Sequence, residues 1–255
     1  KEGEFSEFFT NVMKVSPEKT ALVESVLDTQ KGIYETNDDN TDFFAFIPFC
    51  PSRCKYCSFI SADIKSAKKY VEQYVDTLIQ EIEDSKKYVK NLRSIYIGGG
   101  TPSIVEPKFI LGAIRQVKKC FKLTENPEIT IEINPGTIDE QKVKDYLEVG
   151  VNRFSIGLQT GFDDQLKKLN RVHTAKDFLL CTNMLKGENI SADLLIGLHD
   201  QTAEQVFKSI DLAIAGGVKH LSVYALTPEV GTPIYTDYLN GELLSDDEVA
   251  EIYEK

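Results

Sequence analysis

Cys50, Cys54 and Cys57 fall within eight residues and are the part of this chain best suited to chemistry. They lie in Phe49-Cys50-Pro51-Ser52-Arg53-Cys54-Lys55-Tyr56-Cys57, directly after an apolar, strand-like run. On a loop, that spacing lets three sulfurs converge on one metal centre. A structural zinc site wants four ligands, and no further Cys or His is near in sequence. An iron–sulfur cube held by three thiolates rather than four keeps one iron open to a chelating ligand. The triad therefore favours an open cluster over zinc or a chance spacing. A second apolar run ends in Gly98-Gly99-Gly100-Thr101-Pro102. Glycines there let the backbone approach a ligand and offer amide donors to a carboxylate or phosphate. Taken alone, a tight turn explains them equally well.

Two carboxylates stand where a solvated charge is out of place. In the third run Ile129, Ile131 and Ile133 share one face, which leaves Thr130, Glu132 and Asn134 on the other. Inside a barrel with helices outside, that second face points into the lumen, where a carboxylate needs a partner such as an ammonium group. Asp193 sits within the apolar run 192–196. Contact with a bound cation is the expectation for both, with an internal salt bridge as the alternative. His173 reads as a packing or supporting histidine, and His199 and His220 have no evident partner. Cys120 and Cys181 fall in helical apolar stripes and read as core thiols, as Phe109 and Phe178 read as core aromatics.

The elements that must position these residues form a rhythm. Strand-like runs occupy 43–47, 94–97, 128–133, 152–158, 190–196 and 220–225, and helical patterns separate them at 66–89, 107–120, 139–148, 174–185 and 202–215. The clearest stripe joins Tyr70, Val71, Tyr74, Val75, Leu78, Ile79 and Ile82. Such repetition implies parallel strands with crossover helices, an α/β fold. Six units suggest a partial, open (β/α)6 barrel, with a flat doubly wound sheet as the alternative. Before it, Ser16-Pro17-Glu18 opens a short helix through Leu22, Val26 and Leu27, and the polar run 35–42 reads as a loop. The expected division is an N-terminal helical extension (1–42), a core (43–232) and the start of a C-terminal region (233–255). There Ser245-Asp246-Asp247-Glu248 resembles a capping box. The helix it opens is short, which suggests a chain cut before a further domain, and the absence of an initial Met allows a trimmed start.

Composition excludes several classes. Lys and Arg number 29 against 40 Asp and Glu, a net charge of −11, so no general attraction to nucleic acid is expected. No apolar run approaches the ~18 residues of a membrane span, and no secretory signal is visible. Clustered rather than dispersed cysteines favour the cytoplasm.

The cysteine triad after the first strand and the triple glycine after the second resemble the radical S-adenosylmethionine (SAM) superfamily. Further blocks narrow the resemblance: Ile47-Pro48-Phe49-Cys50, Tyr96-Ile97-Gly98-Gly99-Gly100-Thr101-Pro102, Ile131-Glu132-Ile133-Asn134-Pro135, Asn152-Arg153-Phe154-Ser155-Ile156-Gly157-Leu158-Gln159, Asn170-Arg171-Val172-His173-Thr174 and Asp193-Leu194-Leu195-Ile196-Gly197-Leu198. Over about residues 43–250 the chain resembles the oxygen-independent coproporphyrinogen III oxidase-like family. The resemblance implies a radical-SAM-type barrel in which Cys50, Cys54 and Cys57 ligate a 4Fe-4S cluster and SAM chelates the open iron. One electron from the cluster would then yield a 5′-deoxyadenosyl radical. It also implies that Gly99, Gly100 and Thr101 line the methionine end of SAM, that Tyr56 packs near the adenine, and that Glu132, Gln159, Arg171, Asp193 and Ala225 contact SAM. Phe44 counts among the cofactor-binding positions.

This chain departs from the family at several positions. Phe59 replaces the oxidase's extra cysteine, Phe44 and Phe46 replace a usual Tyr and His, and His199-Asp200 replace Pro-Gly. Phe59 and the segment 222–233 resemble the heme-chaperone branch. Two classes follow: a heme-holding delivery protein, which is preferred, and a turnover enzyme acting on coproporphyrinogen III or another tetrapyrrole. Implied partners are heme or a tetrapyrrole and an electron donor such as flavodoxin or ferredoxin, with heme a further candidate cofactor.

Overall fold

The computed structural model describes residues 6–31 and 40–255, in two units divided after Asn40. In the first, a π-helical turn (Phe8–Val12) precedes helix α1 (Pro17–Gln30). Ser16 caps α1 by accepting the Lys19 N–H at 3.3 Å, and Pro17 sits in the first turn, where a missing N–H costs nothing. Of the polar run expected as a loop, 35–39 lie outside the described residues. Asn40, Thr41 and Asp42 instead begin strand β1 (Asn40–Ile47). Asp42 accepts from Arg93 Nε at 3.1 Å and Ser94 Oγ at 2.7 Å on the neighbouring strand. Those cross-strand partners, invisible in sequence, override the low strand propensity of the run.

In the second unit β2 (Phe49–Cys50) pairs in parallel with β3 (Ala62–Asp63). The single helix expected at 66–89 is instead α2 (Ile64–Ala67), a 3-10 turn (Lys68–Tyr70), α3 (Val71–Asp84) and a second 3-10 turn (Ser85–Lys87). Its stripe is real, since Val71, Val75, Leu78 and Ile82 are buried, but Tyr70 is exposed. Hydrophobic spacing reports which face is buried and not the hydrogen-bond pattern beneath it. The chain continues through β4 (Asn91–Gly99), α4 (Pro107–Cys120), β5 (Lys122–Ile133), α5 (Glu140–Glu148), β6 (Arg153–Gln159), α6 (Asp163–Lys168), α7 (Ala175–Met184), β7 (Ile190–Ile196), α8 (Ala203–Ala215), β8 (His220–Ala225), α9 (Pro233–Leu239) and α10 (Asp246–Tyr253). Capping boxes at Thr174, Thr202 and Ser245 open α7, α8 and α10.

The main sheet has the order β1-β4-β5-β6-β7-β8, and every pairing from β4 to β8 is parallel. The order follows the sequence with no reversal. A doubly wound sheet, which needs a switch point, is thereby excluded, and the open six-stranded barrel type stands. Helix-facing residues such as Ile95, Ile97, Ile131, Phe154 and Ile156 are fully buried. Each contributes about 1.5–3 kcal/mol by leaving water. A one-residue register slip would exchange this row for Tyr96, Glu132 and Ser155, so the register is firmly set. Cys181 is fully buried, its thiol pushed up to about 12 by burial, and Phe178 is buried too. Cys120 departs from the core expectation: it is half-buried at the end of α4, and its Sγ donates to Glu83 Oε2 at 3.2 Å. Among the described residues no helix is long and apolar enough to cross a membrane.

Candidate functional site

Most of the candidate side chains gather toward the carboxyl ends of the strands and in the loops that follow them. The cysteine loop leaves β2 and is tied down on several sides. Gly100 N–H donates to Ile47 O and Thr101 N–H to Phe49 O, both at 2.8 Å, which join the glycine turn to the loop's entrance. Lys55 N–H donates to Leu169 O at 3.0 Å, Asn170 Nδ2 to Arg53 O at 2.7 Å and Ser52 Oγ to Asn170 O at 3.3 Å. Asn170 makes these contacts from φ +57, a left-handed conformation that asparagine tolerates better than most residues. From the other side Ile234 N–H of α9 donates to Lys55 O at 3.1 Å. Asp237 Oδ2 lies 3.7 Å from Lys55 Nζ and 3.0 Å from His199 Nε2. His199, expected to lack a partner, thus joins the β7–α8 turn to α9; its partner lies 38 residues away.

The three thiols meet in one cavity of about 210 Å³. Burial pushes the Cys57 thiol above its ordinary value, and the nearby Cys54 and Cys50 push it further. Three crowded sulfurs with no disulfide among them are poor neighbours as thiolates unless a cation compensates their charge. A metal centre fits that demand. Thr101 Oγ1 donates to Cys50 Sγ at 3.7 Å, and Arg171 Nη1 lies 3.6 Å from Cys54 Sγ.

Gly99 and Gly100 admit no side chain here. Gly99 adopts φ +110, and a Cβ on it would lie 2.6 Å from the Phe46 ring. A Cβ on Gly100 would stand 2.8 Å from both Ile47 O and Phe49 O and 3.0 Å from Cys50 Sγ. Gly100→Ala is therefore expected to push the cysteine loop outward, cost about 1–3 kcal/mol and lower iron retention. Gly112→Ala on α4, with nothing within 4 Å, should instead be neutral or stabilising. Urea midpoints of the two variants check this.

The same cavity holds Glu132 and Asp193. Glu132 accepts from Tyr96 Oη and Gly99 N–H, both at 2.9 Å. Burial raises its carboxyl above the usual range against the pull of those two bonds, and the Asp193 charge adds to the rise. Burial likewise raises Asp193, opposed by a hydrogen bond from Ser222 and by the Arg153, His220 and Arg171 charges. Neither carboxylate forms an ion pair among the described residues. Opposite them, Arg171 donates from Nη2 to Gly157 O at 2.6 Å, and its Nη1 lies 3.5 Å from Tyr56 Oη. Its buried Nε has no partner. Two half-buried carboxylates that ask for a cation face a guanidinium that asks for an acceptor. A zwitterion that also carries a fixed positive charge, such as SAM, fits that arrangement.

Of the residues expected at the site, Cys50, Cys54, Cys57, Tyr56, Gly99, Gly100, Thr101, Glu132, Gln159, Arg171 and Asp193 line this cavity. Phe44 and Ala225 do not. Phe44, 57% exposed, lies lower on the inner face with its ring 5.7 Å from Tyr96 and 6.3 Å from Phe46. Ala225 ends β8 and lines a separate cavity of about 600 Å³ beside α10. His173 is buried, with Nε2 3.2 Å from Leu158 O. Burial and the Arg171 charge lower its pKa to about 3, so it stays neutral and packs, as expected. Sequence reasoning assigned no role to Ser155 or Gly157, which also line the cavity. The alternation that singled out Glu132 places both on the same inner face.

Comparison with known proteins agrees with this geometry. The profile of the Radical SAM superfamily matches residues 44–213. The chain is 36% identical over 201 residues to heme chaperone HemW of Buchnera aphidicola subsp. Schizaphis graminum, covering 77% of this chain and 53% of that one. It is 35% identical over 219 residues to HemW of Bacillus subtilis, covering 83% and 57%. The chain thus spans about half the length of the curated relatives it matches. Among solved structures, coproporphyrinogen III oxidase (HemN) from Escherichia coli superposes with a TM-score of 0.75 at 21% identity, over 89% of this chain and 54% of that one. Archaeal Elp3 of Methanocaldococcus infernus follows the same fold at 0.59 and 18%, over 86% and 53%. With the thiol triad, the glycine turn and the sequential parallel sheet, the matched profile assigns this chain to the radical SAM superfamily.

Proposed function

We infer that the chain binds a 4Fe-4S cluster through Cys50, Cys54 and Cys57, and binds SAM through Gly99, Gly100, Thr101, Glu132, Arg171 and Asp193. On this reading Tyr56 and Gln159 complete the cofactor walls. The whole serves heme metabolism as a heme chaperone of the HemW type. The observation that carries the reading is the convergence on one cavity of three thiols, two carboxylates with no ion pair among the described residues, and a guanidinium whose buried Nε has no hydrogen-bond partner. A bound cluster with SAM supplies one-electron reductive cleavage of the sulfonium. The chain's own residues position and shield it. Tyr96 holds Glu132 toward the cavity, and its phenol, raised by burial and by the Glu132 charge, keeps its proton. Arg171 faces the sulfurs and is charged at any working pH.

A flat tetrapyrrole suits the inner face below this site. Phe44, Phe46 and Tyr96 present a tilted row of rings, with Phe44 largely open to solvent, and stacking on such rings contributes about 0.5–1.5 kcal/mol per pair. The second reading, oxidation of coproporphyrinogen III, is disfavoured by Phe59 in place of an extra cysteine and by Phe44 and Phe46, which bring no proton-handling group. The expected outcome is a heme absorbance band on mixing with hemin, slow 5′-deoxyadenosine formation with a strong reductant, and no protoporphyrinogen from coproporphyrinogen III. All three are measured anaerobically on the reconstituted protein. Stoichiometric protoporphyrinogen formation overturns the chaperone reading.

A further inference from the structure

His199 and Asp200 stand where the family normally has Pro-Gly, and the cofactor cavity uses neither. The turn that carries them is closely tied. Gln201 Oε1 accepts the Gly197 and Leu198 N–H groups at 2.9 and 3.2 Å, and its Nε2 donates to Leu195 O at 3.0 Å. Asp200 takes φ +52, so the left-handed backbone that suits glycine is kept without the glycine. What the exchange adds is an imidazole. The His199 side chain is nine-tenths buried and its Nε2 lies 3.0 Å from Asp237 Oδ2. Its buried Nδ1 has no hydrogen-bond partner. A buried ring held by one nitrogen only is short of partners, and such a group calls for an ion or a water.

A second segment brings the other donors. Helix α9 ends at Leu239, and Gly241 at φ +71 turns the chain back. Glu242 N–H then donates to Asp237 O at 3.0 Å, which returns Glu242 to the end of the helix. The Glu242 side chain is exposed, and its Oε1 accepts from Asn240 Nδ2 at 3.1 Å. One donor atom from each of His199, Asp237 and Glu242 lies within 4.8 Å of the other two. Lys55 Nζ, on a side chain 41% exposed, stands 3.7 Å from Asp237 Oδ2 and is the cation that a metal would displace.

We propose that His199, Asp237 and Glu242 form a site for a divalent first-row transition ion of the Zn2+ type, distinct from the thiol set. None of the three lines the cofactor cavity. One imidazole nitrogen with two carboxylate oxygens suits such an ion, whereas Ca2+ and Mg2+ prefer oxygen alone and copper(I) prefers sulfur. Zinc bonds of about 2.0–2.2 Å put two ligands of a tetrahedral ion about 3.4 Å apart. The His199–Asp237 pair is already near that spacing, and rotation of the exposed Glu242 side chain closes the rest. Water takes the fourth position. An ion there ties α9 to the β7–α8 turn. Because α9 also holds Lys55 O through the Ile234 N–H, the ion would brace the cysteine loop from outside. The proposal does not depend on the cluster reading.

The test titrates Zn2+ calorimetrically into the 255-residue chain in two forms. One is the cluster-loaded wild type; the other is the Cys50→Ala, Cys54→Ala, Cys57→Ala triple variant, whose missing thiols cannot take the metal. Each should bind one Zn2+. Co2+ in the triple variant should give visible ligand-field bands without thiolate charge transfer, the mark of nitrogen and oxygen donors. His199→Ala and Glu242→Gln should each weaken Zn2+ binding at least roughly tenfold, a loss that even residues supporting a ligand carry. Lys55→Met should tighten it about two- to fivefold, the worth of a half-exposed ion pair, because it removes the competitor for Asp237. Glu242 is exposed, so the Glu242→Gln chain should match its parent in thermal midpoint without metal. Added Zn2+ should raise the parent's midpoint and leave the variant's nearly unmoved. No bound Zn2+ in either form overturns the proposal, as does unchanged affinity in both His199→Ala and Glu242→Gln. Ca2+ bound as tightly as Zn2+ also overturns it, since the imidazole would then be no ligand. A cluster that fails to load leaves the triple-variant arm intact, so the two readings fail separately.

Discussion

Replacing any one of Cys50, Cys54 or Cys57 with Ala is expected to abolish stable cluster loading. Anaerobic reconstitution of the wild type should give about four irons per chain, the ordinary stoichiometry of such clusters. The loss should be near complete because the set has no spare: among the described residues the other two thiols are far from suitable. Cys181 is sealed in the core, with its thiol held protonated by burial, and Cys120 is engaged with Glu83 at the end of α4. Cys120→Ala and Cys181→Ala should accordingly load iron like the wild type. Iron determination with the charge-transfer absorbance of each variant checks the claim. A Cys54→Ala protein that holds as much iron as wild type would remove the basis of the site.

The second large effect is expected from the carboxylates. Glu132→Gln and Asp193→Asn each remove a charge that faces the cavity, and a charge-assisted hydrogen bond in such a place is worth ~1.5–3 kcal/mol, so SAM affinity should fall roughly 10- to 150-fold in each. Iron content should be unaffected, since neither carboxylate contacts a thiol in the structure. The sign of the pH dependence follows from the raised carboxyls. With the folded value above the unfolded one, the stability these groups allow is present below the unfolded value and lost as pH rises through the folded one. A bound cation reverses that cost. SAM affinity should therefore strengthen as pH rises through the raised values of these two carboxyls, and the Glu132→Gln, Asp193→Asn double variant should lose most of this dependence. Calorimetric titration at several pH values measures both. Unchanged affinity in both single variants would mean that the carboxylates only support the fold.

Much of this was legible in the sequence, for physical reasons that differ from element to element. Helix α4 and strands β7 and β8 begin and end where their patterns do, because proline, glycine and apolar spacing coincide there. Glu132 and Asp193 were readable because a charge on the inner face of a strand, or inside an apolar run, must meet something. What escaped depends on partners distant in sequence. The start of β1 at Asn40 rests on Asp42 meeting Arg93 and Ser94, about fifty residues on. The grip of Asn170 on the cysteine loop spans 117 residues, and the meeting of His199 with Asp237 spans 38. Short elements such as α6, α9 and the β2–β3 pair carry too few residues for any period to emerge. Phe44 illustrates a different gap: alternation gives the inner face, but not the height along the strand at which the cavity begins.

On the proposed reading one cavity serves both cluster and SAM, and the electron paramagnetic resonance spectrum of the reduced, reconstituted protein tests that most directly. Added SAM should change the signal of the wild-type cluster, because the ligand binds beside the three sulfurs. In the Glu132→Gln, Asp193→Asn double variant the same change should require at least about tenfold more SAM, in line with the charge-assisted bonds removed. A fully loaded, reduced cluster whose spectrum stays the same at saturating SAM would contradict the shared site.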